Sequence, residues 1–125
     1  MKRTTFLLLL FMLSVGIGLV LYYTFHSPLW ISASEAKQAI KDGKFPIVLD
    51  VRTDLEYNLG HYPNAVHIPT GLIKEQAALK LPNKEQGILV YCNTGQRSRA
   101  AADLLKSLGY KEVRYISGPY WSLSR

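Results

Sequence analysis

The feature that most constrains this chain is the run of residues 88–98, which reads Ile-Leu-Val-Tyr-Cys-Asn-Thr-Gly-Gln-Arg-Ser. Four apolar residues in succession, two of them β-branched, are typical of a buried parallel strand, and the Asn-Thr-Gly that follows predicts a tight loop. From Arg97 onward, alanines and leucines recur at helical spacing up to Gly109, which stands where a helix-ending glycine belongs. We therefore predict a strand, a short loop and a helix in immediate succession, with Cys92 at the carboxyl end of the strand.

Cys92 is the only cysteine of the chain, and this position makes it a candidate nucleophile. The first N–H groups of a helix have no partner inside the helix and carry the positive end of its dipole. Such groups stabilise a thiolate, and the guanidinium of Arg97 would favour the same charge state, so we expect a low pKa for this thiol. On residue type alone, a buried and inert thiol is the commoner case. The strand end, the glycine, the arginine and the helix start together favour the reactive thiolate.

A second apolar run, residues 47–52 (Ile-Val-Leu-Asp-Val-Arg), also predicts a buried parallel strand, because it shows no polar alternation. Asp50 and Arg52 stand at its carboxyl end, which is where ligands bind in open α/β sheets. A carboxylate beside a thiolate would raise the pKa of the thiol. We therefore expect this pair to hold the following loop in place rather than to take part directly in a reaction.

The remaining patterns predict further helices and strands. Ser32 and Glu35 have the spacing of a capping box, so a helix should begin there. The other predicted elements are a weak helix at 71–80, a short strand that ends in Ile68-Pro69 and a last strand at 112–116. Strands that alternate with helices indicate an α/β domain with three layers around a central, mostly parallel sheet of five short strands.

Composition and charge exclude several classes of function. With 125 residues, of which 48% are hydrophobic, the chain has room for one domain and a small appendage. A single cysteine rules out an intrachain disulfide and argues against a cysteine metal cluster. We expect neither a metal nor a cofactor. The net charge of +6 comes from dispersed lysines and arginines without a basic run. We therefore expect no nucleic-acid partner.

Residues 6–25 carry no charge and follow Lys2 and Arg3. Twenty apolar residues in a helix are long enough to cross a bilayer. The hydrophobic part of a secretory signal is usually shorter and ends in a small-x-small cleavage site, whereas Gly16 and Gly18 lie in the middle of this run. We predict an uncleaved transmembrane anchor at 1–25, a tether at 26–29 and one globular domain at 30–125.

The orientation of this predicted anchor depends on the positive charges that flank it. The amino terminus with Lys2 and Arg3 on one side nearly balances the lysines on the other, which are Lys37, Lys41 and Lys44. Lysines inside a folded domain count for less in this comparison. We therefore predict a cytoplasmic amino terminus and an extracytoplasmic domain.

The sequence resembles the single-domain rhodaneses, a family of sulfurtransferases, over about residues 30–121. The pattern Cys92-x-x-Gly95-x-Arg97-Ser98, followed by a helix rich in alanine and leucine, resembles the active-site loop of that family. Residues 56–69 resemble its second signature, with an acidic-aromatic pair, Gly-His, proline, alanine and Ile-Pro, although Asn64 replaces the usual glycine. At the end of the chain, proline replaces the second glycine of a Gly-Gly pair, and Leu123 falls nearer the usual tryptophan position than Trp121 does.

The resemblance implies a persulfide enzyme. Cys92 would attack the outer sulfur of a small donor such as thiosulfate and pass that sulfur to a thiophilic acceptor such as cyanide or a thiol. The resemblance also implies a domain that opens with a short strand at Trp30-Ile31. The residues expected to bind substrate in the loop are Asn93, Thr94, Gly95, Gln96 and Arg97. The residues expected to support the site are Asp50, Arg52, His61 and Ser98, with His61 bonded to the backbone of its loop rather than acting as a general base.

Two other interpretations remain open. A cysteine phosphatase also places a thiolate in an anion-binding loop, but it needs one residue more between cysteine and arginine than the four present here. A shorter ring of N–H groups suits a sulfur atom better than a tetrahedral oxyanion. A non-catalytic interaction module with the same fold is the third possibility, and the presence of both Cys92 and Arg97 argues against it.

Overall fold

A computed structural model describes residues 2–124 of the chain. In chain order its helices and strands are α1 (Arg3–Phe25), α2 (Ala33–Lys41), β1 (Ile47–Asp50), α3 (Asp54–Leu59), β2 (Val66–His67), α4 (Ile73–Lys80), β3 (Ile88–Tyr91), α5 (Gln96–Ser107) and β4 (Val113–Tyr115). Two short 3-10 helices cover Thr70–Leu72 and Tyr120–Leu123. Met1 and Arg125, the outer limits of the predicted anchor and domain, lie outside the described residues.

The four strands form one parallel sheet in the order β2-β1-β3-β4. Leu49 of β1 stands between Val66 of β2 and Val90 of β3. The two most apolar strands, β1 and β3, therefore occupy the centre of the sheet, with β2 and β4 at its edges. Both central strands lack polar alternation because helices cover both faces of the sheet. The predicted α/β class and the parallel sheet are therefore confirmed.

The predicted count of five strands is wrong for the described residues. The segment at Trp30 makes only an isolated parallel bridge to Tyr115, in which Tyr115 donates to the Leu29 carbonyl and Ile31 donates to the Tyr115 carbonyl, both at 3.0 Å. A turn in which the Trp30 N–H donates to Ser27 precedes the bridge, and the cap of α2 at Ser32 follows it. Too few extended residues lie between these two features to form a ladder.

Hydrophobic residues on the two faces of the sheet form two core clusters. Because side chains alternate along a strand, Leu49 and Val90 face α4 and α5, whereas Val48 and Leu89 face α2 and the carboxyl-terminal turn. The chain therefore has the three layers that the sequence predicts. Leu123 is buried and closes the second cluster.

Helix ends follow the sequence in some places and depart from it in others. Ser32 caps α2 by accepting a hydrogen bond from the Glu35 N–H at 3.1 Å, as predicted. Helix α3 is not among the predicted elements, because six residues are too few to show helical periodicity. A capping box between Thr53 and Glu56 begins this helix. The predicted helix at 71–80 is divided into a 3-10 turn and the shorter α4.

Helix α1 is long and apolar enough to cross a membrane. Its segment Arg3–Tyr22 has a mean hydropathy of 2.4, and none of that segment is buried against the rest of the protein. A signal sequence near the amino terminus has the same length and composition. The helix is thus a candidate span.

Candidate active site

Cys92 directly follows β3, and Gly95 is the residue before the first turn of α5. The strand, loop and helix predicted from residues 88–98 are confirmed. Gly95 has a φ of 98°, which is in the left-handed region, and a Cβ atom there would lie 2.9 Å from the Cα of Ser117. Both the backbone angle and the close approach of Ser117 require glycine at this position.

The sulfur of Cys92 lies inside a ring of donors, and the residue is only 1% exposed. The N–H of Gly95 donates to Sγ at 3.2 Å, and the N–H of Ser98 donates to it at 3.4 Å. The thiol in turn donates to the hydroxyl oxygen of Ser98 at 3.5 Å, and that hydroxyl is within donating distance, 3.1 Å, of the carbonyl oxygens of Gly95 and Ile116. The loop therefore directs its N–H groups at one buried sulfur atom.

These contacts change the acidity of the thiol. Burial is the largest single influence and opposes ionisation, but the hydrogen bond between the sulfur and the Ser98 hydroxyl, together with those from the N–H groups of Ser98, Gly95 and Thr94, outweighs it. The pKa of Cys92 is therefore lowered from its ordinary value. The thiolate is the nucleophilic form of cysteine, so the loop favours the reactive state.

Arg97 does not point an unpaired guanidinium at the loop, because it forms a two-pronged ion pair with Glu56 at 2.7 and 3.0 Å. The amide of Asn93 donates to the same carboxylate at 2.6 Å. The hydrogen bond from Arg97 is the main reason why the pKa of Glu56 falls to about 2. The same bond raises the pKa of Arg97.

Asp50 and Arg52 form a buried network behind the loop. The guanidinium of Arg52 donates to the Asp50 carboxylate at 2.7 Å and to the Gly60 carbonyl at 2.6 Å. The hydroxyl of Tyr91, the residue before Cys92, donates to the same carboxylate at 2.6 Å. The hydrogen bond to Asp50 is the first reason why the pKa of Arg52 is raised. The network thus ties the end of β3 to the end of β1 and to the loop at Gly60.

The two histidines of the second signature contact backbone carbonyls. The Nδ1 atom of His61 lies 2.8 Å from the Tyr57 carbonyl oxygen, and its ring stacks on the Tyr57 ring at 3.7 Å. The Nε2 atom of His67 lies 2.7 Å from the Arg52 carbonyl oxygen. His61 therefore has the backbone contact that the sequence suggested for it.

Two clefts lie on either side of the loop. The larger, of 480 Å³, is lined by Thr94, Gly95 and Gln96 together with Trp30 and Ser117. The indole N–H of Trp30 donates to the Ser117 hydroxyl at 2.8 Å across it. The smaller cleft has a volume of 280 Å³ and lies on the side of Glu56. Its lining includes Arg52, Glu56, Leu59, Asn93 and Trp121. Both clefts therefore border the loop, although Cys92 itself lines neither of them.

Residues 32–122, which include the whole loop and the buried network, match the family described as Rhodanese-like domain. The chain belongs to the rhodanese-like family. Among its relatives is the thiosulfate sulfurtransferase PspE of Escherichia coli (strain K12), which is 36% identical over 70 residues, or 56% of this chain and 67% of that protein. The solved structure titled Human Single Domain Sulfurtranferase TSTD1 is 26% identical, with a TM-score of 0.65, over 77% of this chain and 95% of that one.

Another relative of this rhodanese-like chain is much longer. The tRNA uridine(34) hydroxylase of Hamiltonella defensa is 30% identical over 97 residues, which are 74% of this chain. The match covers only 27% of the hydroxylase itself. The chain therefore spans only about a quarter of the length of that relative.

The sequence-predicted residues around Cys92 separate into four groups in this rhodanese-like site. Gly95 and Ser98 contact the sulfur of Cys92, while Thr94 and Gln96 line the larger cleft. Asn93 and Arg97 contact Glu56 instead. Asp50 and Arg52 form the buried network, and His61 contacts Tyr57.

Two residues of the site are missing from the sequence prediction. They are Glu56, which pairs with Arg97, and Tyr91, which bonds to Asp50. The spacing of Thr53 and Glu56 is that of a capping box, and it could have predicted the start of α3 from the sequence. Nothing in the sequence pattern indicates its second role as the partner of a residue in the loop.

Proposed function

We propose that this rhodanese-like chain is a sulfurtransferase that carries a persulfide on Cys92. One observation supports the proposal above all, namely a buried thiol whose sulfur accepts hydrogen bonds from two N–H groups of a loop that opens into a helix. A persulfide needs the same environment as a thiolate, because its outer sulfur also carries a negative charge at neutral pH. The relatives named thiosulfate sulfurtransferase and single domain sulfurtransferase support the same class of reaction.

The proposed reaction has two steps. The Cys92 thiolate attacks the outer sulfur of thiosulfate, a new S–S bond forms to the cysteine, and the S–S bond of the donor breaks to release sulfite with the bonding electron pair. A thiophilic acceptor such as cyanide or a thiol then attacks the outer sulfur of the persulfide. That sulfur leaves with the acceptor, and the Cys92 thiolate is restored without a net redox change or a cofactor.

The neighbouring groups have distinct roles in this scheme. The N–H groups of residues 93–97 and the hydroxyl of Ser98 stabilise the negative charge on sulfur during both steps. Arg97 can bind an anionic donor at the mouth of the loop only when its pair with Glu56 opens. The network of Asp50 and Arg52 holds the segments around the loop in position, so that these donors need little rearrangement during the reaction.

The geometry favours sulfur transfer over the two alternatives. A phosphatase loop must surround a tetrahedral oxyanion, whereas this loop has only four residues between Cys92 and Arg97, and two of its N–H groups already bond to the sulfur itself. An interaction module has no need of a thiol with a lowered pKa.

We also propose that helix α1 anchors the enzyme in a membrane, through residues 6–25, with the domain on the extracytoplasmic side. The uncharged length of this segment and the exposure of helix residues Arg3–Tyr22 support the anchor. The charges of Lys2 and Arg3 support the orientation.

The mass of the intact protein after incubation with thiosulfate tests the proposed chemistry. We expect a gain of one sulfur atom on Cys92, its loss on addition of cyanide, and no gain in the Cys92→Ser variant, whose hydroxyl does not ionise near neutral pH. A phosphatase or an interaction module would take up no sulfur. An equal gain in the Cys92→Ser protein would contradict the assignment of the nucleophile.

A further inference from the structure

The carboxylate of Glu56 occupies the mouth of the active-site loop. It accepts hydrogen bonds from Asn93 and Arg97, which are the first and last residues of the predicted substrate-binding segment. Thr53 holds it from the other side, with its N–H at 3.3 Å and its hydroxyl at 3.0 Å. One negatively charged group therefore bridges the two ends of the loop.

The charges around this mouth are already compensated. The guanidinium of Arg97 faces Glu56 with both of its terminal nitrogens, and the guanidinium of Arg52 is bound to Asp50 and to the carbonyl of Gly60. On the side of Glu56, two cations and two anions thus lie beside the loop, whereas Arg99 lines the larger cleft on its other side. Because the pKa of Glu56 is about 2, its carboxylate stays ionised at neutral pH.

A dianion such as thiosulfate meets two obstacles in this arrangement. It is repelled by the carboxylate, and it must displace that carboxylate to gain the two-pronged bond that Arg97 offers to anions. A neutral or cationic sulfur donor meets neither obstacle. Glu56 also lines the smaller cleft beside Asn93, so the carboxylate lies in one of the two clefts that border the loop.

We infer that Glu56 is a specificity-determining residue that selects against highly anionic sulfur donors and favours donors without net negative charge, such as a neutral or cationic persulfide. The inference rests on the proposed function for its biological meaning. For any reagent that reaches Cys92, whether or not it donates sulfur, the charge of Glu56 sets the preferred charge of that reagent.

Two alkylating reagents test this without sulfur chemistry. Iodoacetamide is neutral and iodoacetate is anionic, and both label thiolates. We would measure their rate constants on the full chain in mild detergent, at a pH well above the alkylation midpoint of each variant, and take the ratio of iodoacetate to iodoacetamide. In Glu56→Gln we expect this ratio to rise roughly tenfold, because the substitution removes one partly exposed negative charge that repels iodoacetate near the reaction centre.

Glu35→Gln is a matched control. Glu35 occupies the same position in α2 that Glu56 occupies in α3, next to a capping hydroxyl, and its substitution changes the net charge by the same amount. Glutamine also suits this capping position, so neither helix should unravel. We expect the ratio in Glu35→Gln to equal that of the unaltered protein.

Turnover with thiosulfate separates this inference from the proposed function. We expect Glu56→Gln to lower KM for thiosulfate severalfold while kcat changes little. A raised reagent ratio without sulfur transfer in any variant would support the role of Glu56 and overturn the proposed function. An unchanged ratio in Glu56→Gln, an equal rise in Glu35→Gln, or no labelling of either protein would overturn the inference.

Discussion

At the scale of the residue, burial and hydrogen bonding compete over the sulfur of Cys92. Burial favours the neutral thiol, and the donors of Gly95 and Ser98 favour the thiolate more strongly, so the folded protein holds the pKa below that of the unfolded chain. The stabilisation is therefore fully present above the unfolded pKa of the thiol and is lost as the pH falls through the lower folded value.

We predict that the rate of labelling by iodoacetamide rises with pH to a midpoint below about 8.5, the ordinary value for cysteine. Ser98→Ala removes the hydroxyl beside the sulfur and should move the midpoint upward. A midpoint at or above the ordinary value in the unaltered protein would contradict the lowered pKa.

A second prediction at this scale concerns the buried hydroxyl of Tyr91. It donates to the Asp50 carboxylate and accepts from the Tyr62 N–H at 3.1 Å, whereas the buried hydroxyl of Tyr110 bonds to the carbonyl oxygens of Ala77 and Leu81. Hydrogen bonds to charged groups contribute about 1.5–3 kcal/mol and those between neutral groups about 0.5–1.5 kcal/mol. Tyr91→Phe should thus lower the free energy of unfolding more than Tyr110→Phe in urea titrations. Equal losses would show that the charge of Asp50 adds nothing.

At the scale of the element, the shape of the active-site loop depends on Gly95 at the start of α5. Gly109, beyond the end of the same helix, has the same φ of 98°. The two positions differ in their surroundings. A Cβ atom on Gly95 would approach the backbone of Ser117 to 2.9 Å, whereas one on Gly109 would lie 3.6 Å from the flexible end of Lys84.

We predict that Gly95→Ala and Gly109→Ala share a loss of about 1–2 kcal/mol from the left-handed backbone angle. Only Gly95→Ala should also displace the loop, raise the alkylation midpoint of Cys92 and reduce sulfur transfer. Urea unfolding and labelling of both variants provide the measurement. Similar midpoints in the two variants would show that the contact with Ser117 does not position the loop.

At the scale of the whole molecule, the predicted anchor and the rhodanese-like elements occupy separate parts of the chain. The family match begins at residue 32, and both core clusters lie after helix α1. The anchor should therefore determine location and leave the chemistry unchanged.

We predict that the full chain stays with membranes through a carbonate wash, because about 20 apolar residues are buried in lipid. A chain that begins at His26 should be soluble and keep its sulfur transfer. Release of the full chain by carbonate would refute the anchor, and recovery of a mature form without residues 6–25 would show a cleaved signal.

The orientation has its own test, namely protease digestion in sealed vesicles of known sidedness. We expect the domain to be digested only when the extracytoplasmic face is exposed, because Lys2 and Arg3 should keep the amino terminus in the cytoplasm. Digestion only from the cytoplasmic face would reverse the assignment.

Much of the fold follows from the sequence because its signals are local. The apolar runs that become β1 and β3, the capping serine of α2 and the loop before α5 each lie within a few consecutive residues. Asn64, which replaces a glycine of the family pattern, has the left-handed φ of 63° that the pattern requires. Short elements carry weaker signals, and for this reason α3 is missed and the strand expected at Trp30 is reduced to a bridge.

The sequence by itself determined the α/β class, the position of Cys92 at a strand end and the N–H groups around it, because all three arise from neighbouring residues. Only the tertiary structure decided that Arg97 is paired with Glu56 and that Tyr91 bonds to Asp50, since each pair is separated by 41 residues. The physical reason lies in the parallel sheet. It brings the carboxyl ends of β1 and β3 together, and with them the charged residues that follow each strand.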